Sequence, residues 1–211
     1  MAFLSAKQLK DIENAVAAAE KKTCGEIVPM IARSSAGYSA ARACLIITGF
    51  IVCSLVYIYK ASLWGAQPVK VSELIIWQAL SMALGGVLSN IPFLRRIYVS
   101  QKRMTAEAQR AAKTAFFHLG LTETAGRTGI LIFISLFEKR AVIIADKGIN
   151  QNVTPGYWQQ QVSGIVKGIK TGKTAEAIID AIAQIGDKLA EKFPPLTENI
   201  NELPNHVRVQ A

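Results

Sequence analysis

The chain has little from which to build a catalytic or metal centre. Its two histidines, His118 and His206, stand far apart in 211 residues. Its three cysteines, Cys24, Cys44 and Cys53, have no paired spacing and no nearby histidine, which argues against a disulfide framework and a zinc site. Cys44 and Cys53 fall in an apolar run, where cysteine acts as a small hydrophobe. His118 closes an expected helix, and a contact with the helix dipole accounts for it. Acidic residues are in deficit, 15 against 24 Lys and Arg, giving a net charge of +9. No base-stacking aromatic ladder accompanies that charge in the polar segments, so nucleic acid is not an expected partner. "MAFLSAKQLKD" has no apolar h-region, so no cleavable signal is expected and the N-terminus is placed on the cytoplasmic side.

A nucleotide is not expected either. In "GIKTGKTAEA", residues 168–177, Gly172-Lys173-Thr174 has the ending of a phosphate-binding loop. The first glycine of that motif would fall at position 167, which is a lysine. The preceding "WQQQVSGIVK" reads as an amphipathic helix, not the buried strand such a loop follows. The stretch is expected to be a turn between helices, with Gly172 ending one and Thr174 capping the next.

What is abundant is apolar sequence: 51% of residues are hydrophobic. One run carries no charge from Ala43 to Tyr59, and a second carries none from Leu74 to Leu94. Each approaches the ~20 residues of a membrane-spanning helix. Gln78, Asn90 and Pro92 soften the second. The linker, with Trp64 and Pro68, is expected as a short turn at the membrane interface. Lys21, Lys22, Arg33, Arg42, Arg95, Arg96, Lys102, Arg103, Arg110 and Lys113 flank the pair, against Lys60 and Lys70 between the runs. This bias predicts a two-pass protein of the cytoplasmic membrane with both termini cytoplasmic. Arg95, Arg96, Lys102 and Arg103 form a basic collar suited to anionic headgroups.

The polar remainder reads as one small α/β domain. Ser5 and Gln8 predict a capping box, with Leu4 and Leu9 as its staple. Leu9, Ile12, Val16 and Ala19 give the helix an apolar face. Gly25 to Ala32 predicts a strand, at an edge or bulged because Pro29 has no N–H. A helix is expected over Gln101 to Leu119, a central strand over Thr128 to Phe137, and a hairpin partner over Arg140 to Asp146. Thr154-Pro155 should start a further helix, and Ala175 to Lys192 the last. The tail "LTENINELPNHVRVQA" has no apolar period. The expected organisation is a discontinuous domain, 1–36 and 101–196, interrupted by a transmembrane hairpin, 41–94, and followed by an extended tail, 197–211. One helix and one strand before the hairpin could not bury a core alone.

Three segments carry a resemblance to the TPM domain family: "LSAKQLKDIENAVAAAEKKTCGEIVPMIA", "GRTGILIFISLFEKRAVIIADKGI" and "QQVSGIVKGIKTGKTAEAIIDAIAQIGDKLAEKF". They are similar to its opening helix and strand, its central hairpin and its paired C-terminal helices. The chain looks most like a bacterial branch with a transmembrane pair inside the domain. The resemblance implies a small sheet packed by about four helices. It also implies a phosphatase-like activity and Ca2+ bound by carboxylates near the central strands. Where the family often has an acidic residue and Asn, this chain has Gly126, Arg127 and Thr128, and an arginine there would repel a cation.

Candidate metal residues are Asp146 after the third strand, Glu26 at the first, and Asn150, with Asn152 and Thr154 as nearby oxygens. Asp146 could equally pair with Arg127 or Lys147. Asp180 and Asp187 read as solvated helix acids, and Tyr157 and Trp158 as packing or interface anchors. No catalytic residue is assigned. The expected function is non-catalytic: binding, assembling or maintaining a membrane-protein partner. Metal-assisted phosphomonoester hydrolysis and binding of anionic lipid are the alternatives.

Overall fold

A computed structural model describes residues 4–63, 70–124, 126–195 and 205–210. Among them the chain forms α1 (Ala6–Glu20), β1 (Glu26–Ala32), α2 (Ser39–Leu63), α3 (Val71–Leu88), α4 (Pro92–Ile97) and α5 (Gln101–His118). These are followed by β2 (Gly129–Ser135), β3 (Arg140–Ala145), α6 (Lys147–Asn150), α7 (Tyr157–Thr171), α8 (Thr174–Ala190) and β4 (Arg208–Gln210). The fold is mixed α/β with a four-stranded sheet. The chain divides into two compact units, one of residues 1–35 with 105–211 and one of residues 36–104.

In the first unit the strands lie in the order β3-β2-β1-β4. β1 runs parallel to β2 and to β4, and β3 returns antiparallel to β2. β2 is buried along its whole length, as its unbroken apolar run "GILIFIS" requires. One face of the sheet, with Ile27, Ile31, Ile130, Ile132 and Ile134, packs with α1, α7 and α8 into a core that includes Ile12, Val16, Ile165, Ile178, Ile182 and Ile185. The other face, with Val28, Leu131 and Phe133, packs on Ala112, Ala115 and Phe116 of α5. The alternation is the two-residue period of a strand covered on both sides.

The capping box at Ser5 is present: the Ser5 hydroxyl accepts from the Gln8 N–H, and the Gln8 side chain accepts from the Ser5 N–H. Gly172 ends α7 at φ 79°, so the stretch resembling a phosphate-binding loop is the inter-helix turn. Other local expectations need correction. Thr174 does not cap α8; Lys173 holds that position without a side-chain bond. Thr154-Pro155 does not start α7, which begins at Tyr157 after Gly156 at φ 90°. Residues 147–150 form a single helical turn capped by Asp146. The tail is not merely extended: residues 208–210 add a strand to the sheet. Pro29 lies beyond that short strand, where β1 has no β4 partner, so its missing donor interrupts no pairing.

In the second unit α2 and α3 form an antiparallel pair in which a Cβ on Gly85 would lie 3.1 Å from the Ile46 Cα. Gln78 donates to Ser54 Oγ at 3.2 Å, and Ser54 Oγ donates to the Phe50 carbonyl at 2.9 Å. Polar side chains of the apolar runs thus bond across the pair or to their own helix backbone. The second run is not one helix to Leu94: α3 stops at Leu88, and Pro92 begins the separate α4. Both long helices are apolar enough to cross a membrane, yet only 11% and 6% of their apolar windows are buried. Trp64 and Pro68 lie outside the described residues.

Candidate functional site

Glu26 and Asp146 come to the same end of the sheet. Glu26 pairs with Gly129 across β1 and β2, and the Asp146 N–H donates to the Gly129 carbonyl at 2.9 Å. Two strand spacings, about 10 Å, therefore separate the two backbones. Both residues are buried. Asn150 lies one helical turn beyond Asp146, but its side-chain oxygen accepts from the Trp158 indole N–H at 3.2 Å.

Asp146 serves local structure. Its Oδ1 accepts from the Lys147 N–H at 2.6 Å, capping α6. Its Oδ2 is buried without a hydrogen bond and lies 3.8 Å from the exposed guanidinium of Arg127. The pairing with Arg127 weighed from the sequence is therefore formed. Tyr157 donates to the Gln184 carbonyl at 2.9 Å and stacks edge-on against Trp158, so both rings pack. Asp187 pairs with Lys22 at 2.7 Å on the surface.

These residues do not fit a Ca2+ shell. Such an ion takes six to eight oxygens. Here one oxygen of Asp146 caps a helix, a fixed positive charge faces the other, and the Asn150 oxygen is taken by Trp158. Among the described residues no group of three or more His, Cys, Asp or Glu side chains is placed to hold a metal.

In the basic collar, Arg95 and Arg96 occupy the last turn of α4 and are half-buried, while Lys102 is exposed. Arg103 lies over the Tyr38 ring at 5.8 Å. Phe93 and Ile97 of α4 are 72% and 65% exposed, so apolar and basic side chains share one short helix.

Sequence reasoning missed Glu20. Its carboxylate accepts from the Ile27 N–H at 3.0 Å and from the Asn205 amide at 2.5 Å. Burial, opposed by the Ile27 bond and reinforced by Glu26, pushes its pKa up to about 8. A signal existed: Glu20 continues the stripe of Ile12 and Val16 at four-residue spacing, so it belongs to the buried face. Also missed was a cleft of about 460 Å³ between α5 and the end of β1, lined by none of the predicted site residues.

The comparisons agree with this architecture. The TPM domain family model matches residues 96–188. Over that span the chain is similar to TPM domains. The solution structure of the BA42 protein from the psychrophilic bacterium Bizionia argentinensis is similar over 98% of this chain and 95% of its own. Identity is 22% and the TM-score 0.59, so that likeness shows the fold alone. No curated protein matches significantly. α1 and β1 lie before the matched segment but share its sheet and core.

Proposed function

We propose that this chain is a membrane-anchored TPM-domain protein that binds and assists a membrane-protein partner without turnover. The exposed apolar hairpin carries the reading. A core helix of a soluble domain would be mostly buried, whereas α2 and α3 leave nearly all of their apolar windows uncovered. About 25 and 18 residues at ~1.5 Å each give roughly 37 and 27 Å, near the ~30 Å hydrocarbon thickness. The basic flanks favour the cytoplasmic membrane with both termini inside. The non-catalytic half rests on Asp146 being spent on a cap and an ion pair. Membrane fractions washed with alkaline carbonate test the anchor: retention in the pellet is expected, and release overturns it. Phosphomonoester hydrolysis tests the rest: activity abolished by Asp146→Ala in a folded protein overturns the non-catalytic reading.

The exposed Phe93 and Ile97 beside Arg95 and Arg96 favour a second reading, in which the collar holds anionic lipid. Replacing Arg95, Arg96, Lys102 and Arg103 by Gln should lower the fraction of anionic lipid that co-purifies. An unchanged fraction removes this reading.

A further inference from the structure

We propose that the open edge of β1 is a strand-acceptor groove, filled in this structure by the chain's own residues 205–210 and able to take an extended segment of the partner instead. The inference rests on the partner-binding reading and names its surface.

The edge is prepared for a strand, yet among the described residues ladder pairing covers only part of it. The Glu26 N–H donates towards β2, to the Thr128 carbonyl, so strand alternation turns the N–H groups of Ile27, Ile31 and Arg33 to the opposite side. On that side Glu20 accepts from Ile27, and Arg33 donates to the Gln210 carbonyl at 3.1 Å. Of the seven residues of β1, β4 pairs only with Met30, Ile31 and Ala32. Pro29 marks where pairing stops.

The resident segment shows what the groove recognises. Asn205 donates to Glu20, and two residues later Val207 is buried in the isoleucine core. Arg208 to Gln210 then pair through the backbone, parallel to β1. Val209 is 63% exposed, so it adds no buried anchor. A partner segment therefore needs an amide side chain, an aliphatic residue two positions on, and three or more extended residues. This is strand addition, with backbone bonds giving affinity and alternate side chains giving selectivity.

A cleft adjoins the groove at the last described residue of the resident segment. The cleft opens beside Gln210, with Met30, Ala111, Ala115 and Leu119 beneath and Arg110 and His118 at the rim. An incoming segment with an apolar residue after the Gln210 position would bury it there. That contact offsets the advantage of the tethered tail, whose effective concentration is on the order of millimolar.

The test uses the full chain in detergent and a fluorescent peptide, PNHVRVQA, with a second ending in Leu for the cleft. Val207→Asp in the chain should disable the tail and bind the peptide at least about tenfold more tightly than wild type, by release from tethered competition. The Leu peptide should bind more tightly still, and a peptide with Asp at its first valine should not bind. Equal affinity of both chains, or no binding to a folded Val207→Asp chain, overturns the proposal. If that variant does not fold, Met30→Cys with Arg208→Cys locks the tail across paired residues. Peptide binding should then appear only on reduction, and binding indifferent to reduction overturns it. A chain that binds the peptide but washes off membranes would retain the groove and refute the anchor; the converse would refute the groove alone.

Discussion

Asn205 donates its side-chain amide to the carboxylate of Glu20, across 185 residues of sequence. The contact ties the last strand of the sheet to the end of its first helix. Glu20 in turn accepts from Ile27, so one carboxylate serves the helix end, the open strand edge and the tail together.

That carboxylate should make stability depend on pH. Its pKa is raised from 4.5 to about 8, so the folded state holds a proton that the unfolded state releases. The sign follows: the contribution is fully present below about 4.5 and is lost as pH rises through about 8. The slope is at most about 1.4 kcal/mol per pH unit. Melting temperatures between pH 5 and 9 should fall with rising pH, and Glu20→Gln should flatten the fall. A variant with the wild-type slope would show that Glu20 ionises freely in the fold.

Glu138 should matter more than its turn position suggests. It is fully buried, and its carboxylate accepts from the Ser35 N–H at 2.9 Å and from the hydroxyls of Ser34 and Ser135. Glu138→Ala strands those donors and should cost on the order of 3 kcal/mol. Glu138→Gln keeps an acceptor and should cost roughly 1 kcal/mol. Thermal unfolding of the two variants checks the order.

Periodicity made the frame of this fold legible. The Ser5 box, the apolar run of β2 and the stripe Ile178, Ile182, Ile185 and Leu189 each state their element in local sequence. What escaped depends on partners distant in sequence. β4 is three residues long, too short for a period, and exists because β1 offers an edge. α6 is one turn nucleated by the Asp146 cap. Glu20 is polar on an apolar stripe, and its bonds to Ile27 and Asn205 lie far from the helix period that local sequence shows. Asp146 follows β3 directly, as its place in the sequence implies, and of the two ion pairs open to it from sequence the one with Arg127 is formed.

Tyr157 offers a spectroscopic check on packing near the start of α7. Burial, then Glu191 and Asp187, push its phenol up to about 12. Alkaline titration should show one tyrosine ionising well above the ordinary ~10, absent in Tyr157→Phe. Losing the bond to the Gln184 carbonyl should cost about 1 kcal/mol. A titration identical in both proteins would place the ring in solvent.

The hairpin makes its own demand, through two adjacent glycines that should respond in opposite ways. A Cβ on Gly85 would sit 3.1 Å from the Ile46 backbone, while one on Gly86 would meet nothing within 4 Å. Helices in a membrane gain little from burying apolar surface against each other, because lipid is equally apolar, so close backbone approach carries their association. Gly85→Leu must push α2 and α3 apart and should cost about 1–3 kcal/mol. Gly86→Leu should leave the pair intact and add apolar surface facing outward. Thermal unfolding in detergent separates the two: a lower melting temperature for Gly85→Leu alone supports the packed hairpin. Equal effects would mean that α2 and α3 do not meet through Gly85 when surrounded by detergent.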